Sequence, residues 1–208
     1  FSQKEKSKQE MKTDIILSGV GGQGILSIAA VIGEAALYDG LYMKQAEVHG
    51  MSQRGGDVQS NLRISDKPIA SDLIPLGSAD LIISLEPMES LRYLPYLKKD
   101  GWLVTNSVPF VNIPNYPDIK EVYAALNALP HKVMLDVENI AKEIGSVRSA
   151  NIVMLGAAAP FLGIEYTKLE QGIRDIFGKK GPEVVGMNIL ALEAGYDVAK
   201  KLLKVYPH

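Results

Sequence analysis

Two short stretches hold the residue types that chemistry needs. The first, GVGGQG at residues 19–24, sets Gly19, Gly21 and Gly24 in the G-x-G-x-x-G spacing, with Gly22 and Gln23 between them. Such glycines let a chain turn sharply and bring backbone N–H groups close to a phosphate or carboxylate at a helix N-terminus. The second, EVHGMSQRGGDV at 47–58, gathers Glu47, His49, Ser52, Gln53 and Arg54 beside Gly50, Gly55 and Gly56. Arg54 offers a forked pair of donors to a carboxylate or phosphate. His49 is a weak catalytic candidate because imidazole titrates near neutrality, although a loop histidine held by a hydrogen bond is the commoner case. Gln23, Ser52 and Gln53 are hydrogen-bonding candidates. If the segment binds nothing, an Arg54–Glu47 pair in a solvated loop accounts for it.

Other chemistry is less well supported. A dinucleotide site wants an acidic residue about 20 residues beyond the first glycine, at the end of the second strand. That count lands near Gly40, while Asp39 precedes the strand and Glu47 lies past the usual spacing. The plain alternative for the glycines is a sharp turn with close helix–sheet packing. GIRDIFGKKG at 172–181 imitates a P-loop, but Gly172 and Gly178 stand one residue too far apart and Lys180 replaces the Ser or Thr. GKKG reads instead as a helix end and turn. Asn106 and Asn151 are weaker binding candidates, Asn151 fitting better as a buried Asn that satisfies backbone groups. His49, His131 and His208 are too scattered for zinc, and no metal site is expected.

The two stretches must be positioned by strands and helices. Residues 14–18 (DIILS) form an apolar run ending in the glycines, the pattern of a buried parallel strand. Residues 25–37 read as an Ala-rich helix packed on a sheet, and 41–46 as a second strand, so both stretches fall after strands on one carboxyl edge. Alternation at 58–64 predicts a half-exposed strand, with a turn at SDKP and a short antiparallel partner after it. Further strands are expected at 79–87, 102–105 and 132–136, and helices at 88–97, ended or kinked by Pro95, and at 119–129. From 137 onward the pattern turns helical, at 137–144, 150–161, 167–177 and 183–203. The expected fold is α/β: a three-layer α/β/α, Rossmann-like domain with a mostly parallel sheet and a helical C-terminal region.

Composition excludes several classes. Hydrophobic residues are 47% and charged residues 22% of the 208, enough apolar material for a core without the charge excess of a disordered chain. A net charge of -2 and no basic run argue against nucleic acid. With no Cys, disulfides, thiolate-held iron–sulfur clusters and Cys nucleophiles are excluded from these residues. No apolar run approaches the roughly 20 residues of a membrane span, so no membrane partner and a cytoplasmic location are expected. The polar stretch at 1–10 reads as a disordered extension or an expression remnant, and 11–208 as a single domain.

GVGGQGI and EVHGMSQRGG together resemble the gamma-type domain of 2-oxoacid:ferredoxin oxidoreductases, and within that family the small subunit of the indolepyruvate-oxidising branch. SADLIISLEP, NSVP and SANIVMLGAAA extend the likeness through most of the chain from Met11 onward. The resemblance implies a gamma-type catalytic domain in a heteromeric complex. That complex converts an aryl 2-oxoacid and coenzyme A to acyl-CoA, CO2 and reduced ferredoxin. It also implies a larger alpha subunit that carries thiamine diphosphate, magnesium and iron–sulfur clusters, with coenzyme A as co-substrate and ferredoxin reached through the complex. On this reading Gly21, Gly22, Gln23, Gly24, Glu47, Ser52, Gln53, Arg54, Gly55, Gly56 and Asn106 would shape the substrate, coenzyme A or anion site. Two alternatives stay open: an independent nicotinamide or flavin enzyme, and a non-catalytic interaction module.

Overall fold

The computed structural model describes residues 10–49, 56–111 and 113–205, apart from the side chains of His49 and Val205. Six strands form one sheet: β1 (Lys12–Val20), β2 (Tyr42–His49), β3 (Asp57–Ser65), β4 (Ala79–Ser84), β5 (Leu97–Asn106) and β6 (Lys132–Leu135), in the order β2-β3-β1-β4-β5-β6. Only β3 runs against the others; β1, β4, β5 and β6 pair in parallel, and β2 points the same way. The α/β, mostly parallel expectation therefore holds.

Helices cover both faces. On one side α1 (Ile25–Tyr38) and α5 (Ala150–Ala158) meet Ile15, Leu17, Leu62, Leu81 and Val104 of the sheet. The helical C-terminus builds outward from them: α6 (Tyr166–Phe177) packs on α1, and α7 (Pro182–Val205) runs along α5 beside α4 (Val137–Glu143). The opposite face is thinner, with α2 (Pro87–Arg92) and α3 (Ile119–Asn127) closing over Ile16, Ile82 and Leu103.

Contact between α5 and α7 is backbone to backbone. A Cβ on Gly195 would lie 1.9 Å from the Val153 carbonyl oxygen, and one on Gly156 would lie 2.0 Å from that of Leu192. No side chain larger than hydrogen fits at either position. Val153, Leu155, Ala157 and Leu192 are fully buried around the crossing.

Several local expectations need correction. The strand at 58–64 is interior, not half-exposed: β1 and β2 flank it, α1 covers one face, and Ser60, Leu62 and Ile64 are buried. No strand follows it among residues 66–78, where Arg63 instead donates to the Ser71 and Leu73 carbonyls and holds that segment to the sheet. The helix expected at 88–97 stops at Arg92; Pro95 sits in a 3-10 turn, Leu94–Tyr96, and β5 begins at Leu97. Residues 1–9 of the expected extension lie outside the described residues, while Glu10 pairs with Lys67 at 3.1 Å.

Candidate functional site

The glycine turn leaves the carboxyl end of β1 and is pinned on two sides. Gly21 N–H donates to the Gly56 carbonyl at 2.9 Å, so the turn touches the start of β3 and the end of the 47–56 segment. Gln23 folds back beneath it. Its Oε1 accepts from Val20 N–H at 2.7 Å, and its Nε2 donates to the Leu85 carbonyl at 3.1 Å. Gly19 makes the room, since a Cβ there would come within 2.8 Å of Gln23 Oε1. Gly24 begins α1 at φ 88°, a left-handed conformation that favours glycine, and a Cβ on it would lie 2.6 Å from Asn151 Nδ2. That amide donates to the Gly24 carbonyl at 3.1 Å, so α5 locks the turn from the other side.

The Leu85 carbonyl joins the ends of three strands. It accepts from Gln23 and, at 3.3 Å, from Asn106 Nδ2 at the end of β5. Asn106 is 1% exposed and also binds the Glu138 carboxylate (3.0 Å to Oε2) and Val137 N–H. It is thus a brace between β4, β5 and α4. The fully buried Glu86 plays the same part next door. It caps α2 through Glu89 N–H at 2.8 Å, accepts from Phe110 N–H at 3.2 Å, and takes the Tyr116 hydroxyl. Burial and that carboxylate together push the Tyr116 hydroxyl above its ordinary value. Burial likewise raises the Glu89 carboxyl above the usual carboxylate range, against the opposing pull of Arg92, whose guanidinium binds it at 2.9 and 3.3 Å. The hydroxyl of the buried Tyr93 is pushed up to about 12, chiefly by desolvation.

The structure brings Gly21, Gly22, Gln23, Gly24, Gly56 and Asn106 to one rim, and β2 delivers His49 there, since His49 pairs with Val58 and Val58 with Gly19. Glu47 lies inside β2 rather than in a loop; it is exposed and accepts from Gln45 at 3.0 Å. Ser52, Gln53, Arg54 and Gly55 lie outside the described residues, as does the His49 side chain. Among the described residues, no three His, Cys, Asp or Glu side chains gather as metal ligands, and no helix is long and apolar enough to cross a membrane. Sequence reasoning missed Glu86 and the Leu85 carbonyl. A Glu directly before a Pro that opens a helix was the available signal for the first; nothing in residue type marks a carbonyl.

The topology speaks against a simple dinucleotide site. In that site the acidic residue that holds the ribose ends a strand adjacent to β1. Here β3 separates β2 from β1, which moves the end of β2 about 10 Å away, two strand spacings.

Residues 14–198 match the family model for pyruvate ferredoxin/flavodoxin oxidoreductase. The indolepyruvate oxidoreductase subunit IorB of Archaeoglobus fulgidus is 36% identical over 201 residues, covering 91% of this chain and 96% of that protein. The 2-oxoglutarate synthase subunit KorC of Methanocaldococcus jannaschii is 31% identical over 199 residues, covering 95% and 99%. Among solved structures, 2-oxoglutarate:ferredoxin oxidoreductase from Magnetococcus marinus, with 2-oxoglutarate, coenzyme A and succinyl-CoA bound, superposes with a TM-score of 0.73 at 26% identity. The match covers 94% of this chain but 32% of that longer one.

Proposed function

The chain belongs to the pyruvate ferredoxin/flavodoxin oxidoreductase family, and we propose that it serves as the small subunit of a cytoplasmic 2-oxoacid:ferredoxin oxidoreductase of the indolepyruvate type. The reaction consumes an aryl 2-oxoacid, coenzyme A and oxidised ferredoxin, and yields acyl-CoA, CO2 and reduced ferredoxin. Thiamine diphosphate with magnesium, and the clusters that pass electrons on, are assigned to a larger partner subunit. With no Cys among its 208 residues, this chain offers no thiolate to hold the clusters.

What this chain contributes is a wall. The observation that carries the reading is the 2.9 Å hydrogen bond from Gly21 N–H to the Gly56 carbonyl, which ties the glycine turn to the end of the 47–56 segment on one rim. Leu26, in the first turn of α1 after β1, and Phe110 and Val111, after the end of β5, are exposed apolar residues of the kind that pack against another subunit. Coenzyme A and substrate would lie between this rim and the partner, with Arg54 as the anion contact. Residues 11–208 act as one domain in this reading.

Reconstitution tests it. The chain alone is expected to reduce no ferredoxin with indolepyruvate and coenzyme A, and adding the larger subunit restores turnover. Within the complex, Arg54→Ala should raise the KM for coenzyme A by about ten- to a hundredfold, the usual loss for a charge-assisted pair. Ferredoxin reduction by the isolated chain would overturn the division of labour. Unchanged turnover and unchanged coenzyme A dependence in Arg54→Ala would reduce the rim to a docking surface.

A further inference from the structure

A cavity of about 360 Å³ opens beside the glycine turn, between the first turn of α1, the start of α5 and the junction of α6 with α7. Ser27, Arg148, Ser149, Asn151, Lys180 and Asn188 supply its polar lining. Its floor is prepared and internally satisfied. Ser149, 3% exposed, shares a 2.7 Å hydrogen bond with Ser146, and Asn188, 6% exposed, donates to the Val184 carbonyl at 2.8 Å. Asn151, which holds Gly24, forms the boundary with the glycine turn.

The charge of this cavity is cationic. Arg148, just before α5, and Lys180, just before α7, both line it and both are exposed. Among the described residues neither makes an ion pair, and Lys180 is held over the Phe177 ring at 5.6 Å. Glu183 in the first turn of α7 is the one carboxylate in the lining. Helix ends add to the same sign. α2, α3 and α4 begin with their own carboxylate caps, Glu86, Asp118 and Asp136, whereas α1 and α5 begin with no side-chain cap and no acid in the first turn. Ser27 of the first turn of α1, and Ser149 and Asn151 at the start of α5, line this cavity.

We propose that the cavity seats a phosphate or diphosphate group, with Arg148 and Lys180 as its charged contacts and Ser27, Ser149 and Asn151 as neutral donors. Its volume accommodates a diphosphate but not a whole dinucleotide, which needs a pocket at the larger end of the usual range. The two sources of such a group are free inorganic anions and a phosphorylated organic ligand that also crosses the glycine turn. For the organic source the proposal rests on the functional reading above; the two fail separately, because pyrophosphate binding is measured on the full chain without turnover.

The test is calorimetry of the full chain with inorganic pyrophosphate, inorganic phosphate, coenzyme A and dephospho-coenzyme A. Folding of every variant is checked by circular dichroism and Trp102 fluorescence. Pyrophosphate is expected to bind at millimolar concentration or below, and Arg148→Gln or Lys180→Gln should each weaken it about tenfold. Competition between coenzyme A and pyrophosphate supports the organic source; pyrophosphate binding untouched by coenzyme A supports the free anion. Absence of pyrophosphate binding by the folded chain overturns the proposal, and so does equal binding by the folded double variant.

Discussion

The α5–α7 crossing and the carboxyl rim both depend on glycine, and they use it in opposite ways. At the crossing, Gly156 and Gly195 are there so that two backbones touch, and the fully buried side chains around them, Val153, Leu155, Ala157 and Leu192, are apolar. At the rim, Gly19 and Gly24 make space for polar side chains, Gln23 and Asn151, that bond the turn in place while Gly22 stays exposed at its tip. One region stabilises the fold by exclusion of atoms. The other fixes the shape of a polar turn at the sheet's carboxyl edge, where Gly21 N–H is taken by the Gly56 carbonyl and Gln23 N–H by that of Val20. Substitutions should therefore separate the two, with melting temperature reporting the crossing and KM reporting the rim.

The largest effect is expected at the crossing. Gly195→Ala forces a methyl into the Val153 carbonyl and should cost about 3 kcal/mol or more, since neither helix can withdraw without opening the core. Thermal unfolding followed by Trp102 fluorescence measures it; an unshifted melt would show that the helices slide apart freely. Gly24→Ala comes next, at about 2 kcal/mol, from left-handed backbone strain and the clash with Asn151. Unlike Gly195→Ala, it should also raise the KM for coenzyme A in the reconstituted complex. Gly24→Ala with normal KM would erase the distinction between the regions.

Gln23→Ala should reverse the balance of the two readouts. Loss of its bonds to Val20 N–H and Leu85 carbonyl costs roughly 1–2 kcal/mol of stability, because the buried Val20 N–H loses its acceptor while the Leu85 carbonyl keeps its bond from Asn106. Turnover in the complex should fall about tenfold or more, as a turn displaced by about 1 Å misplaces what it holds. The smallest effect is a pH dependence at Glu89. Its folded pKa lies above the unfolded value, chiefly through burial, so the native state holds the proton more tightly than the unfolded chain. Stability from this group is complete below the ordinary carboxylate pKa and declines as pH rises through the folded value. Glu89→Gln should flatten that decline in denaturant titrations run from about pH 4 to 7; an unaltered slope would mean that another group titrates there.

Much of the fold was legible because apolar runs, Gly and Pro punctuate it. The run at 14–18 and the helix at 25–37 appear as β1 and α1 with ends shifted by a few residues, and GKKG is a helix end, with Gly178–Lys180 in a 3-10 turn and Gly181 at φ 99°. The place of β3 was not legible. Alternation tells which residues share a face, not which strands stand on either side, so an interior antiparallel strand and an edge strand read alike. At the rim, residue types pointed to the right neighbourhood but not to the division of tasks. Gln23 and Asn106 look like ligand contacts in sequence; in the fold their amides are taken up by Val20, Leu85, Val137 and Glu138. Those bonds span up to 62 residues for Gln23, and such distances leave no trace in local pattern.

Hydrogen exchange on the chain, alone and with the larger subunit, tests the partner-facing rim most directly. The account predicts that the complex slows exchange in the glycine turn, the 47–56 segment and the stretch from Val108 to Tyr116, while α6 exchanges as before. Protection of α6 and the outer side of α7, with the glycine turn unchanged, would contradict it.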